Sequence, residues 1–140
     1  MSTKMRLSPY LNFNGKCREA MTFYQDCLGG DLQLQKVSES PMAAQLPSKA
    51  GANILHSSLT IDEVILMASD MIGENLKDGN VITLCLNCGS NKEIENYFAK
   101  LSAGGKVKMP LHQTFWGSTY GELTDKFGIN WMLNLNKSQA

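Results

Sequence analysis

The sequence predicts an α+β protein: paired βαβββ modules that together form an open, curved sheet. Three observations predict it. Two short amphipathic helices can be read, each closed by a Gly-Gly pair. Five identities recur at one spacing: Leu11 with Leu86, Asn12 with Asn87, Phe23 with Phe98, Gly29 with Gly104 and Gly30 with Gly105, all 75 positions apart. Each helix follows one strand-like run and precedes several more, punctuated by turn residues. The 140 residues make one domain, with an internal repeat spanning approximately 5–75 and 76–136.

Taken in order, the first strand is expected over Leu7 to Phe13. Leu7, Pro9, Leu11 and Phe13 share the face turned to a helix, and Ser8, Tyr10 and Asn12 share the other. The first helix runs from Cys17 to Leu28. Cys17, Ala20, Met21, Tyr24, Cys27 and Leu28 form its apolar stripe. Asn14 can cap its start, and Gly29-Gly30 ends it. The stretch from Ser38 to Asn53 carries two prolines and reads as a surface loop, a candidate lid. Strands over Leu55 to Ile61 and Val64 to Ser69 flank the turn Asp62-Glu63.

The second half repeats this order. A strand is expected over Val81 to Cys88, with Ile82, Leu84 and Leu86 packing and Thr83, Cys85 and Asn87 on the opposite face. A helix follows over Lys92 to Ala103, its stripe being Ile94, Tyr97, Phe98 and Leu101. Ser90 or Asn91 can cap it, and Gly104-Gly105 ends it. Tyr120 to Thr124 and Ile129 to Leu135 flank the turn Asp125 to Gly128. A Leu-Thr pair precedes the turn in both halves, at Leu59-Thr60 and Leu123-Thr124.

Lys+Arg and Asp+Glu number 13 each, so net charge offers nothing to attract nucleic acid or an anionic membrane. No apolar run approaches the ~20 residues that span a bilayer, and no secretory h-region follows the N-terminal charges. Cys17, Cys27, Cys85 and Cys88 are expected as free thiols of a cytoplasmic protein. Cys85 and Cys88 form a lone C-x-x-C. No second pair completes a zinc site, and the pair closes a strand instead of opening a helix, so neither metal nor redox chemistry is assigned to it.

Alternation places polar groups of several strands on faces turned away from the helices. Glu122 and His56 are the candidate catalytic groups, as acid, base or ligand anchor. Tyr10, Asn12, Phe115, Trp116, Tyr120 and Met132 are the candidate ligand-binding residues. His112 is expected in a Pro-led loop, Asp125 as a turn residue and Trp131 in the core. The expected site is a cup between the two halves. No Ser-His-Asp or Cys-His order is recognisable.

Several motifs resemble those of PhnB-like proteins, a branch of the glyoxalase/bleomycin-resistance/dioxygenase (vicinal oxygen chelate) superfamily. They are Tyr10-Leu11-Asn12-Phe13-Asn14-Gly15 with Glu19-Ala20 and Phe23-Tyr24, Leu66 to Asp70, and Met109-Pro110-Leu111 with Thr114 to Gly117. The most specific is Gly121-Glu122-Leu123-Thr124-Asp125-Lys126-Phe127-Gly128-Ile129-Asn130-Trp131-Met132. The resemblance covers about Leu7 to Asn136 and implies the glyoxalase/bleomycin-resistance fold. It also implies dimers or pairing of the repeats within one chain, and a homodimer is expected. Members often carry a demethylubiquinone methyltransferase name, but no glycine-rich loop that could hold a methyl donor follows a strand here.

Metal-dependent relatives carry His, Gln or Glu ligands at positions that fall here on Ser8 (or Pro9, if the register slips), near Thr83 and on Met132. Ser, Thr and Met suit a divalent ion poorly. The expectation is therefore a small-molecule binder with no metal and no cofactor. The alternative is a metal-dependent glyoxalase, lyase or dioxygenase acting on a small metabolite.

Overall fold

Ten elements follow one another in the computed structural model, which describes residues 5, 7–36, 38, 53–70, 76–77, 79 and 81–136. They are β1 (Tyr10–Phe13), α1 (Cys17–Leu28), β2 (Asp31–Lys36), β3 (Ile54–Ile61), β4 (Val64–Asp70), β5 (Leu84–Asn87), α2 (Asn91–Ser102), β6 (Lys106–Gln113), β7 (Ser118–Thr124) and β8 (Asn130–Asn136). The chain divides into two compact units, Met1–Lys77 and Asp78–Ala140. Each has the order βαβββ and one open, four-stranded mixed sheet, β1-β4-β3-β2 in the first and β5-β8-β7-β6 in the second. Of the loop and lid expected over Ser38 to Asn53, residues 39–52 lie outside the described residues.

In the first unit β1 runs parallel to β4, Leu11 opposite Ala68 and Phe13 opposite Asp70. Strands β4, β3 and β2 are antiparallel neighbours. The α1 stripe is buried as its spacing predicts, with Cys17, Ala20, Met21 and Tyr24 at 0% exposure. It packs on β2, β3 and β4, against Leu59, Leu66 and Ala68, all buried.

Asn14 does not cap α1. Lys16 stands at the N-cap position and its side chain makes no capping bond. The job falls to Asp70, at the end of β4, whose two carboxylate oxygens accept from the amides of Cys17 (3.0 Å) and Ile54 (2.9 Å). Asp70 pairs with Phe13, so parallel register carries it to the start of the helix. A carboxylate at a helix N-terminus satisfies a backbone donor and meets the positive end of the dipole.

In the second unit Ser90 caps α2 by accepting from the amide of Glu93 (3.1 Å), while Glu93 accepts from the amide of Gly89 (2.8 Å). This reciprocal pair is a capping box displaced by one residue on the Glu93 side. Ile94, Phe98 and Leu101 are buried as α2 packs on β6, β7 and β8. Trp131, Leu133, Leu135 and Leu123 are buried on the strands.

The first strands are shorter than alternation alone implies. Leu7 is fully exposed and Ile82 is 75% exposed, so neither packs against a helix. Pro9 still contributes its carbonyl, which accepts from the amide of Met67 at 3.0 Å. Pro cannot donate to a ladder, and the regular strand begins after it. His112 is also displaced from its expected setting: it lies on β6, not in a loop. Pro110 is tolerated there because β6 is an edge strand whose pairing shifts register between Met109 and His112.

Gly30 and Gly105 explain one part of the internal repeat. A Cβ on Gly30 would meet the carbonyl oxygen of Thr60, and one on Gly105 that of Thr124. The Gly-Gly pair of each unit thus sits against the Leu-Thr pair of the same unit.

Candidate functional site

Both sheets cover one face with a helix and leave polar side chains on the other. In the first unit Tyr10 lies opposite Met67 on β4, which lies opposite Ser58 on β3, which lies opposite Gln33 on β2. Asn12 pairs with Ser69, and His56 with Gln35. All belong to the face away from α1. Tyr10 and His56 approach each other there, with the phenol oxygen 3.5 Å from Nδ1 and ring centroids 6.0 Å apart. Tyr10, Asn12 and His56 are all solvent-exposed.

The second unit carries the denser arrangement. Register aligns Asn87, Asn134, Tyr120 and His112 across β5, β8, β7 and β6. The next row holds Cys85, Met132, Glu122 and Met109. Gly121, between Tyr120 and Glu122, turns to the other face: a Cβ there would meet Phe98 of α2. The Tyr120 hydroxyl donates to Oε2 of Glu122 at 2.8 Å, and its oxygen lies 3.7 Å from the Met132 sulfur. Tyr120, Glu122 and Met132 are half-buried. Burial pushes the Tyr120 phenol up to about 12, helped by its hydrogen bond to Glu122 and the nearby negative charge. It remains a neutral donor at any ordinary pH.

His112 joins this face from β6. Its ring meets that of Tyr120 edge-on, centroids 6.3 Å apart at 86°. Its Nδ1 lies 2.9 Å from the carbonyl oxygen of Pro110. A carbonyl only accepts, so Nδ1 carries the proton, and in the neutral ring Nε2 is left as an acceptor. The loop assignment hid this residue; its spacing of eight residues from Tyr120, across a hairpin, was the available signal. Asn134 donates to Asn87 at 3.3 Å beside it.

Phe115 and Trp116 stand apart from these rows, in the turn between β6 and β7. They pack edge-on against each other, centroids 4.8 Å apart, and are 96% and 63% exposed. Asp125 does more than form a turn. It is buried, accepts from the amides of Phe127 (2.8 Å) and Ile129 (3.1 Å), and accepts from the Trp131 indole at 2.8 Å. Trp131 is core, as expected. Cys17, Cys27 and Cys88 are buried and Cys85 is exposed, all four free.

The positions where metal-dependent relatives carry ligands do not fit a divalent ion. Ser8 and Thr83 offer one neutral hydroxyl each and Met132 a thioether, which is neither the oxygen cage of a hard cation nor the imidazole and carboxylate set of a transition metal. Among the described residues no three His, Cys, Asp or Glu side chains gather in a group that could hold a metal ion. Among them, too, no helix is long and apolar enough to cross a membrane.

A mixed sheet of order 1-4-3-2, twice repeated and each time packed on one helix, defines the glyoxalase/bleomycin-resistance fold. The same fold occurs in a glyoxalase/bleomycin resistance protein/dioxygenase family enzyme from Burkholderia phytofirmans PsJN (14% identity, TM-score 0.59, 90% of this chain and 95% of that one). The model of the 3-demethylubiquinone-9 3-methyltransferase family matches residues 5–134. The chain belongs to that family, the PhnB-like one. It is similar to Protein YjdN of Escherichia coli K12, 36% identical over 148 aligned positions that take in 96% of this chain and 98% of YjdN. It is similar also to the crystal structure of protein PA1353 from Pseudomonas aeruginosa (37% identity, TM-score 0.86, 95% and 98% covered). The PhnB protein from Bacillus cereus matches with 25% identity and a TM-score of 0.75, over 94% of this chain and 99% of that one.

Proposed function

We propose that this vicinal oxygen chelate superfamily protein binds a small organic molecule without a metal ion, and that the open face of the second unit is its principal binding surface. The observation that carries the reading is the Tyr120–Glu122 hydrogen bond beside Met132 and His112. A half-buried carboxylate and phenol on the sheet face turned away from α2 do no packing that apolar residues would not do better. Desolvating such groups costs about 1–3 kcal/mol each unless a partner satisfies them. The donor set at Ser8, Thr83 and Met132 supports the metal-independent form of this reading.

A methyltransferase reading has weaker support. The links from β1 to α1 and from β5 to α2, Asn14-Gly15-Lys16 and Cys88-Gly89-Ser90, are no glycine-rich cradle for a nucleotide-like cofactor. The proposal includes a cytoplasmic setting, supported by free thiols of which Cys85 is exposed.

A thermal-shift screen of small organic molecules, run with and without exhaustive chelation, tests the reading. A ligand at 100 times its Kd adds about 2.7 kcal/mol of stability, and its effect should survive chelation. Stabilisation that appears only with added metal, or about one transition-metal ion per chain on isolation, would overturn it.

A further inference from the structure

We propose that the ligand of this face is a cation, a protonated amine or an amidinium-like group, held by Glu122. This rests on the binding surface proposed above and adds the chemistry of what it takes. Glu122 accepts one hydrogen bond, from Tyr120 to Oε2. Among the described residues Oε1 has no hydrogen-bond partner and Glu122 forms no ion pair. The cation closest in register, Lys108, sits in the bulge of β6 beside Met109, the partner of Glu122, and makes no ion pair with Glu122. Among the described residues nothing compensates the charge of this half-buried carboxylate.

The groups around it sharpen the demand. The only proton of the Tyr120 hydroxyl is directed at Glu122, so toward a ligand the phenol oxygen can only accept. The His112 Nδ1 proton is committed to Pro110, so the neutral ring presents Nε2, again an acceptor. The Met132 sulfur is a weak acceptor with an apolar surface. Carboxylate, phenol oxygen, imidazole nitrogen and thioether together form a surface rich in acceptors beside an uncompensated negative charge. An anion would be repelled, and a neutral carbonyl compound would find few donors. A planar amidinium or a primary ammonium supplies both several N–H donors and the missing charge.

Three probes of one shape separate the possibilities: benzamidine (cation), benzamide (neutral) and benzoate (anion). Each is titrated into the intact protein and followed by backbone amide shifts on β7 and β8. Benzamidine should bind about tenfold more tightly than benzamide, the difference between a charge-assisted and a neutral hydrogen-bonded contact, and benzoate weakest of all. Added salt should narrow the gap. Glu122→Gln, which keeps shape and removes charge, should bring benzamidine and benzamide within about twofold of each other, benzamidine losing the more. If that variant does not fold, the ranking and its salt dependence in the unaltered protein decide the matter. Equal or tighter binding of benzamide or benzoate overturns the cation assignment while leaving a small-molecule surface in place. Undiminished preference for benzamidine in a folded Glu122→Gln protein also overturns it. If no probe shifts β7 or β8, the assignment falls. If no hit of the wider screen shifts them either, the binding surface falls with it.

Discussion

Removing the Asp125 carboxylate should loosen the hairpin that presents Tyr120, Glu122 and Met132. Asp125 follows β7 directly, and its oxygens collect two amides of the turn and the indole of Trp131 on β8. The indole bond is buried and the other two are partly buried. A buried donor that loses a charged acceptor costs about 2–3 kcal/mol. The two turn amides can recruit water and add about 0.5 kcal/mol each. Asp125→Ala should therefore lose about 3 kcal/mol, or about 10 °C in Tm for a chain of this size. Asp125→Asn keeps an acceptor for the turn amides and should lose about half as much. Urea denaturation followed by tryptophan fluorescence measures both, Trp131 being the buried reporter. A loss under about 1 kcal/mol for Asp125→Ala would refute the claim that this carboxylate fixes the hairpin. Register matters to function here, because a slip of one residue would turn Tyr120 and Glu122 onto the helix side.

Other outcomes follow from the same structure. Gly105→Ala should cost about 2 kcal/mol or more, because the new Cβ meets backbone atoms of Thr124 and Asp125 that cannot move aside cheaply; denaturation measures it, and a neutral result would remove the close approach as the reason for this glycine. Burial pushes the Cys17 thiol from 9.0 up to about 11 and the Cys88 thiol to about 12. Their folded values lie above the unfolded one, so the stability they contribute is intact below pH 9.0 and is lost as the pH rises toward about 11 to 12. Stability unchanged over that range would contradict their burial. With a chromogenic thiol reagent at mildly alkaline pH, Cys85 should react first and the other three only on unfolding. The sheets end in edge strands β1 and β2, and β5 and β6, and such edges are commonly paired or covered. Sedimentation should accordingly give a dimer at micromolar concentration, and a monomer mass would count against that expectation.

The helices were legible because their signals are local. Stripes at 3 and 4 residue spacing and a glycine after the last turn lie within a dozen positions of each other. The later strands were legible from alternation on either side of Asp62-Glu63 and Asp125 to Gly128, and that alternation put Tyr120 and Glu122 on one face correctly. Caps supplied from a distance were hidden. Asp70 reaches the start of α1 through parallel pairing with Phe13, and nothing near Cys17 in sequence announces it. Strand β6 was hidden too, since Pro110 interrupts its pattern and its edge position with shifted register tolerates the interruption. His112 was misjudged with it, and so the acceptor beside Tyr120 went unread. Leu7 and Ile82 failed in the other direction: alternation assigns faces only as far as pairing lasts, and regular pairing begins at Tyr10 and Leu84.

The methionine methyl groups offer the most direct measurement. Of the eight methionines, Met132 lies beside Tyr120 on the sheet face of the second unit turned away from its helix and Met67 on that of the first, while Met21 is sealed on the inner side of α1. With their methyls isotopically labelled, a small molecule that stabilises the protein should shift Met132 and leave Met21 unmoved, before and after chelation. A ligand that stabilises the protein while Met132 stays fixed would contradict the assignment of this face as the binding surface.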